Sequence, residues 1–399
     1  MITAPFIRKI FDAASMIRWN DKMRPVEFTE LNKQAHKMII AYMLGKFEEE
    51  NKSNGPDWIE VIEGGIFELL QRIVVTDLKP QLFHEIEKNK IKYKKLNEWV
   101  YKEMEAFISP IHSNFCERFK NYLLNWDPDK NLNQKILRAA HYYASRWEFD
   151  MIEHANPKGY EIVSIGEGLQ NELEKYYDLK GMQKLRLYSG FKKFADLCGE
   201  LTFQIRWSHL HRVPRTSVLG HMLIVAVLSY LISIEIGACK KRCINNYFTG
   251  LFHDLPEVLT KDIKSPVKKA VEELDTLIKE YEIEEMKKKI YTLIPTSWHA
   301  EMKTYTEDEF GSIVTVNGKA EAKSSEEITQ SFNEDRYNPR DGEIVGAIDD
   351  LSAFVEVCLA LENGIGSTEL RKAKDALRTA NEEKSISGFS FKEIYGNFP

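Results

Sequence analysis

His253 and Asp254 stand side by side at the head of the run His253-Asp254-Leu255-Pro256-Glu257-Val258-Leu259-Thr260-Lys261-Asp262-Ile263-Lys264-Ser265-Pro266-Val267-Lys268. An imidazole nitrogen and a carboxylate oxygen can share one divalent cation, and a mixed set of this kind suits Mn, Co, Fe, Ni or Zn, with Mg admissible where waters fill the shell. A His-Asp pair alone suits a helix start beside a core histidine equally well. The pair gains weight from Arg206-Trp207 and His221 upstream and Asp349 downstream, which bring the potential ligands to four in three segments. Glu257 follows His253 by four residues and Asp254 by three, so on a helix it shares their face and can serve as an acid or base. Phosphate monoesters resist hydrolysis because a dianion repels hydroxide and an alkoxide leaves poorly. A divalent metal answers both difficulties, by making hydroxide available near neutral pH and by offsetting phosphoryl charge.

The order Arg-Trp, His on the next helix, the long His-Asp-x-x-Glu block and the late Ala347-Ile348-Asp349-Asp350-Leu351-Ser352-Ala353 segment resembles the HD-domain phosphohydrolases. Within them it is most similar to the bacterial 5′-deoxynucleotidase-like branch, over about residues 190 to 362. The resemblance implies His221, His253, Asp254 and Asp349 as metal ligands and Glu257 as the catalytic carboxylate. It places Arg206, Trp207, Thr260 and Asp262 around a nucleotide. Arg206 offers a planar fork to two phosphoryl oxygens, and Trp207 a flat face for a sugar or base. The chain departs from the branch at Gly220, where a Glu is usual, at Lys261 for a Gly and at Lys264 for a Pro. His209, His211 and His299 lack ligand spacing.

A length of 399 residues exceeds what one such helical module needs, so two domains are expected. The net charge of -6 and the pI near 6.0 give no basic face for a phosphate backbone, and duplex nucleic acid is not an expected partner. The five cysteines (Cys116, Cys198, Cys239, Cys243, Cys358) are odd in number and contain no Cys-x-x-Cys pair. That pattern argues against a disulfide framework or a zinc knot and for a reducing cytoplasm. Met1 to Ile17 is broken by Arg8, Lys9 and Asp12 and lacks a signal-peptide core. The apolar run Met222 to Ile234 is too short to span a bilayer and reads as a buried core helix, so no membrane is expected.

The first half echoes the second. Arg18-Trp19 precedes Arg206-Trp207 by 188 residues (207 minus 19), and His36 precedes His221 by 185 (221 minus 36). Gly65-Ile66-Phe67-Glu68 through Thr76-Asp77-Leu78-Lys79 stands at that same 185 from Gly250-Leu251-Phe252-His253 through Lys261-Asp262-Ile263-Lys264. A fixed register over several motifs implies tandem duplication. In the first copy Glu68-Leu69 replaces His-Asp, Arg72 stands for Glu257 and His141 for Asp349, so it is expected to lack metal and activity, with His36 and His141 structural. Because this copy keeps Arg18-Trp19 and Asp77, structural roles for Arg206-Trp207 and Asp262 remain open alternatives.

Apolar spacing predicts helices over Leu31 to Phe47, Trp58 to Val75, Ile136 to Ile152, Gln170 to Tyr177, Leu185 to Leu201 and around Asp349. Strand propensity is confined to Ser312 to Ala320, where Asn317-Gly318 suits a hairpin turn inside the polar stretch Thr304 to Arg340. That stretch is open to reading as a lid, an oligomer contact or a mobile loop. The expected fold is all-α: two HD-type helical bundles in tandem, at 1–155 and 188–399, joined by a helical connector at 156–187 and carrying one small β-hairpin insertion around 312–320. The resemblance implies a divalent-metal-dependent phosphohydrolase acting on a nucleotide or deoxynucleotide monophosphate, with the copies packed as a pseudo-dimer within one chain or a homo-oligomer. The rivals are a nucleotide-sensing protein with little turnover, and a hydrolase of a nucleoside triphosphate or an alarmone.

Overall fold

The computed structural model describes residues 1–50, 55–76, 78–112, 114–261 and 274–398. The chain is all-α, and its described strands form three two-stranded antiparallel hairpins. It divides into two compact units, Met1–Leu179 and Lys180–Pro399.

In the first unit the helix Glu30–Glu49 lies at the centre, packed against Leu132–Ala155, Trp58–Val74 and Ala4–Ser15. Its start is set by Thr29, whose hydroxyl accepts from Asn32 N, and Asp57 and Asn131 cap the two neighbouring helices in the same way. Arg18 lies on a short strand, Ile17–Arg18, paired with Phe28–Thr29. The sequence pattern does not signal this hairpin, because two residues are too few to show alternation.

In the second unit the central helix is Val218–Glu235, started by Ser217 accepting from Gly220 N and buried along nearly its whole length. Among the described residues it is the helix long and apolar enough to cross a membrane, and 89% of it is buried inside the protein. It packs against Lys240–Phe252 and Gly342–Glu362. The approach to Lys240–Phe252 is close: a Cβ on Gly250 would come 2.7 Å from the backbone nitrogen of Ala226, so that position requires glycine. The stretch predicted as one helix over Leu185 to Leu201 is two, Lys180–Leu187 and Ser189–Glu200, separated by an extended Tyr188. Ser189 and Gly190, poor helix formers, follow the break.

The hairpin Ile313–Val316 with Lys319–Ala322 turns through Asn317 and Gly318, both at positive φ, as a type I′ turn demands. The polar stretch around it is anchored to the unit. Buried Arg340 donates to the carbonyls of Thr304, Asp308 and Gly311, and its backbone bridges to Ile313. The next residue, Asp341, caps Gly342–Glu362 and also accepts from Ser312, Ser325 and Arg242 of the Lys240–Phe252 helix. One buried carboxylate thus ties together two helices and the insertion.

Candidate metal centre

Three helices of the second unit converge on one point. His221 comes from the first turn of Val218–Glu235, His253 from the end of Lys240–Phe252 and Asp349 from the middle of Gly342–Glu362. One ligand atom from each lies within 4.8 Å of the others. His221 Nε2 is 2.8 Å from Asp349 Oδ1, and Asp254 Oδ2 joins the group at 3.2 Å from His253 Nε2 and 3.7 Å from His221 Nε2. Bonds of about 2.0 to 2.2 Å to a shared cation impose ligand separations of this order.

The far nitrogens of the two rings decide which nitrogen faces the centre. His253 Nδ1 is 2.9 Å from Gly250 O, which can only accept, so Nδ1 carries the proton and Nε2 presents its lone pair. His221 Nδ1 lies 3.1 Å from Ser352 Oγ, a partner that can hold it in the same sense. Both Nε2 atoms are buried without a hydrogen-bond partner, as befits ligand atoms. Burial pushes the His253 imidazole down, but Asp254 and Asp349 lift it further, to about 9, so without a cation Nε2 holds a proton that a bound metal would displace. Burial likewise raises Asp254, and the neighbouring His253, His221 and Arg206 outweigh it and hold the carboxyl well below its usual range. These carboxylates create a negative potential that favours a cation, and the donor set fits a divalent ion of the borderline class.

Glu257 opens the short helix Glu257–Thr260 and shares with His253 and Asp254 the wall of a cavity of about 70 Å³, which Lys279, Glu282 and Glu309 also line. Burial raises the Glu309 carboxyl. Arg206 Nη1 is 3.6 Å from Asp254 Oδ2, while its Nε lies 3.4 Å from Glu356 Oε2 and Trp207 Nε1 donates to that same oxygen at 2.8 Å. Thr260 donates to Glu282 at 2.9 Å rather than standing open to the cavity. Asp262 and Lys264 lie outside the described residues. Motif reading misses Glu356, Ser352 and Arg212. Glu356 is wholly buried, paired with Arg206, Arg212 and Thr216, and despite burial its carboxyl is pulled down to about 2 by the two guanidiniums. A signal was present: Ser352 and Glu356 follow Asp349 by three and seven residues, on one helical face.

The first unit repeats part of this arrangement. Trp19 and Trp207 sit at φ 55° and 57°, and Trp19 Nε1 donates to Glu148 at 2.8 Å. Arg18 Nε reaches Glu148 at 2.9 Å. At the positions that echo the ligands in sequence the side chains differ. Leu69 is buried and offers no donor atom, Lys33 Nζ lies 2.5 Å from His141 Nδ1, and Lys37 pairs with Glu68 at 2.9 Å. The His36 ring packs edge-on against Trp147 at 4.8 Å.

Residues 198–378 match the family model of the HD domain, which supports placing this segment in the HD-domain superfamily, in general metal-dependent phosphohydrolases. No curated protein matches the chain.

Proposed function

We propose that the second unit hydrolyses a nucleotide or deoxynucleotide monophosphate with the help of a divalent cation held by His221, His253, Asp254 and Asp349. The observation that carries this reading is the convergence of two orphaned Nε2 atoms and two carboxylates beside the cavity lined by Glu257. When bound, the cation supplies Lewis acidity toward water and the phosphoryl oxygens. Arg206, held by Glu356 and facing Asp254, sets its guanidinium charge toward the phosphoryl group, and the indole of Trp207, tethered through Nε1, offers a face to the sugar or base. Water attacks phosphorus, the P–O ester bond breaks, and Glu257 takes a proton from the attacking water and passes one to the departing sugar oxygen. The overall charge of -6 supports a small-molecule substrate over duplex nucleic acid.

The two units are read as copies of one ancestor. Supporting this are the matched backbone at Trp19 and Trp207 and the two Trp-to-Glu bonds of 2.8 Å. His141 and Asp349 also stand the same seven residues before Glu148 and Glu356.

The test is release of inorganic phosphate by the full chain, stripped of metal and resupplied with Mn, Co, Ni, Zn or Mg, from a panel of nucleoside and deoxynucleoside phosphates. Metal-dependent release from monophosphates is expected. Binding without release from any phosphoester under any metal would favour the sensing role instead.

A further inference from the structure

The first unit holds a cavity far larger than the one beside the metal centre. It measures about 970 Å³, within the range of nucleotide-sized sites, against about 70 Å³ beside Glu257. Its wall combines flat rings, Trp19, Trp126 and Tyr142, with three guanidiniums, Arg18, Arg72 and Arg138.

Two polar atoms on this wall are orphaned. Gln34 is almost wholly buried and its amide nitrogen is committed to Glu30 at 2.7 Å, which leaves Oε1 buried with no hydrogen-bond partner. Trp126 Nε1 is likewise buried without one. Neither atom has surface open to the cavity, so the wall meets a ligand through its rings and its guanidiniums.

The charge at one end is also unlike that of the metal centre. His141 lines the cavity with Lys33 Nζ directly on its Nδ1, and burial together with Lys33, Arg138, Lys37 and Arg18 drives the imidazole well below its ordinary proton affinity. Basic side chains therefore gather at the position that echoes Asp349 in sequence, although burial pushes the Lys33 ammonium well down. Glu30 is closely paired with Arg18 at 2.8 Å, whereas its pair with Arg72 is a loose 3.7 Å. Arg72 is thus a cation with capacity for an added anion.

We propose that the first unit binds a nucleoside monophosphate in this cavity without a metal, with Arg72 on the phosphate and the aromatic wall on the base. With Arg72 in place of an acid and Leu69 in place of a ligand, the site retains the nucleotide and does not hydrolyse it. This reading is independent of turnover in the second unit.

The experiment is calorimetric titration of the full-length Asp254→Ala protein in EDTA with AMP, GMP, CMP and UMP, with their nucleosides and with inorganic phosphate. At least one monophosphate should bind with Kd near or below about 100 µM. Its nucleoside and phosphate alone should each bind at least about tenfold more weakly, as should the monophosphate to Arg72→Gln or Trp126→Ala added to Asp254→Ala, since a bond to a charged group and a ring stacked on a base are each worth about that much or more. The two variants act on opposite parts of the ligand, so either one that folds carries the test. Absence of binding overturns the proposal. So does binding that survives both substitutions but is lost in Arg206→Ala, which would assign the ligand to the second unit, and so does phosphate binding as tightly as the nucleotide.

Discussion

The two units hold the same Arg-Trp-Glu tie and opposite chemistry below it. In each, a tryptophan at positive φ donates to a buried glutamate that also pairs with the preceding arginine. In the second unit the floor is two imidazoles and two carboxylates, a set that favours an added cation. In the first, Lys37 brings positive charge on its own side chain against Glu68, and Lys33, whose ammonium burial pushes well down, meets His141. The tie therefore belongs to the fold, and the function depends on a few side chains the fold presents. The carboxylates of the tie do not titrate alike. Burial raises both, but Glu356 has two guanidiniums and ends low, whereas Glu148 shares Arg18 with Glu30 and ends high.

The largest effect is expected at the floor. Asp254→Ala should abolish stoichiometric metal by elemental analysis and lower phosphate release by about a thousandfold or more, several kcal/mol of lost charge stabilisation. Retention of metal and rate would remove Asp254 from the site and erase the contrast with Leu69.

The tie itself is the next target. Glu356→Ala takes the shared carboxylate from Arg206 and buried Arg212 and should cost about 3 kcal/mol in urea unfolding, and Glu148→Ala, which leaves Arg18 with Glu30, should cost about 1 kcal/mol or more. A cost at Glu356 alone would show that the tie is not common to the units. The pH dependence follows from the depressed carboxyl: stability from Glu356 is present above its ordinary value of 4.5 and is lost as pH falls from there toward about 2. Glu356→Gln should flatten acid unfolding in that window.

Glu257→Gln should lower turnover by about a hundredfold with metal content unchanged, the scale of a general acid. Arg72→Gln in the first unit should leave turnover intact, which separates the two echoing positions. An unchanged rate in the Glu257 variant would take that carboxylate out of the reaction.

The smallest effect distinguishes two echoing glycines. A Cβ at Gly250 meets the backbone of Ala226, which cannot yield, whereas a Cβ at Gly65 meets the flexible side chain of Met38. Gly250→Ala should cost about 1 to 3 kcal/mol by thermal unfolding and Gly65→Ala less. Equal costs would mean that the helices of both units are equally rigid at that crossing.

Residue type and local spacing alone determine much of this protein. The apolar helices, the Asn317-Gly318 turn and the donor chemistry of the His253-Asp254 pair are legible in short windows, because helix, turn and donor chemistry are local properties. Glu356 was hidden because a glutamate within an apolar helix reads as an exception until its partners, Arg206 and Thr216, are seen 150 and 140 residues away. The short strand at Arg18 and the break at Tyr188 escaped because neither has enough residues to set a period. Only tertiary packing decided that Gly250 O fixes the His253 ring, that Lys33 meets His141, and that the larger cavity lies in the unit without the ligand set. Such pairings depend on which helix faces cross and how closely, and no local pattern encodes them.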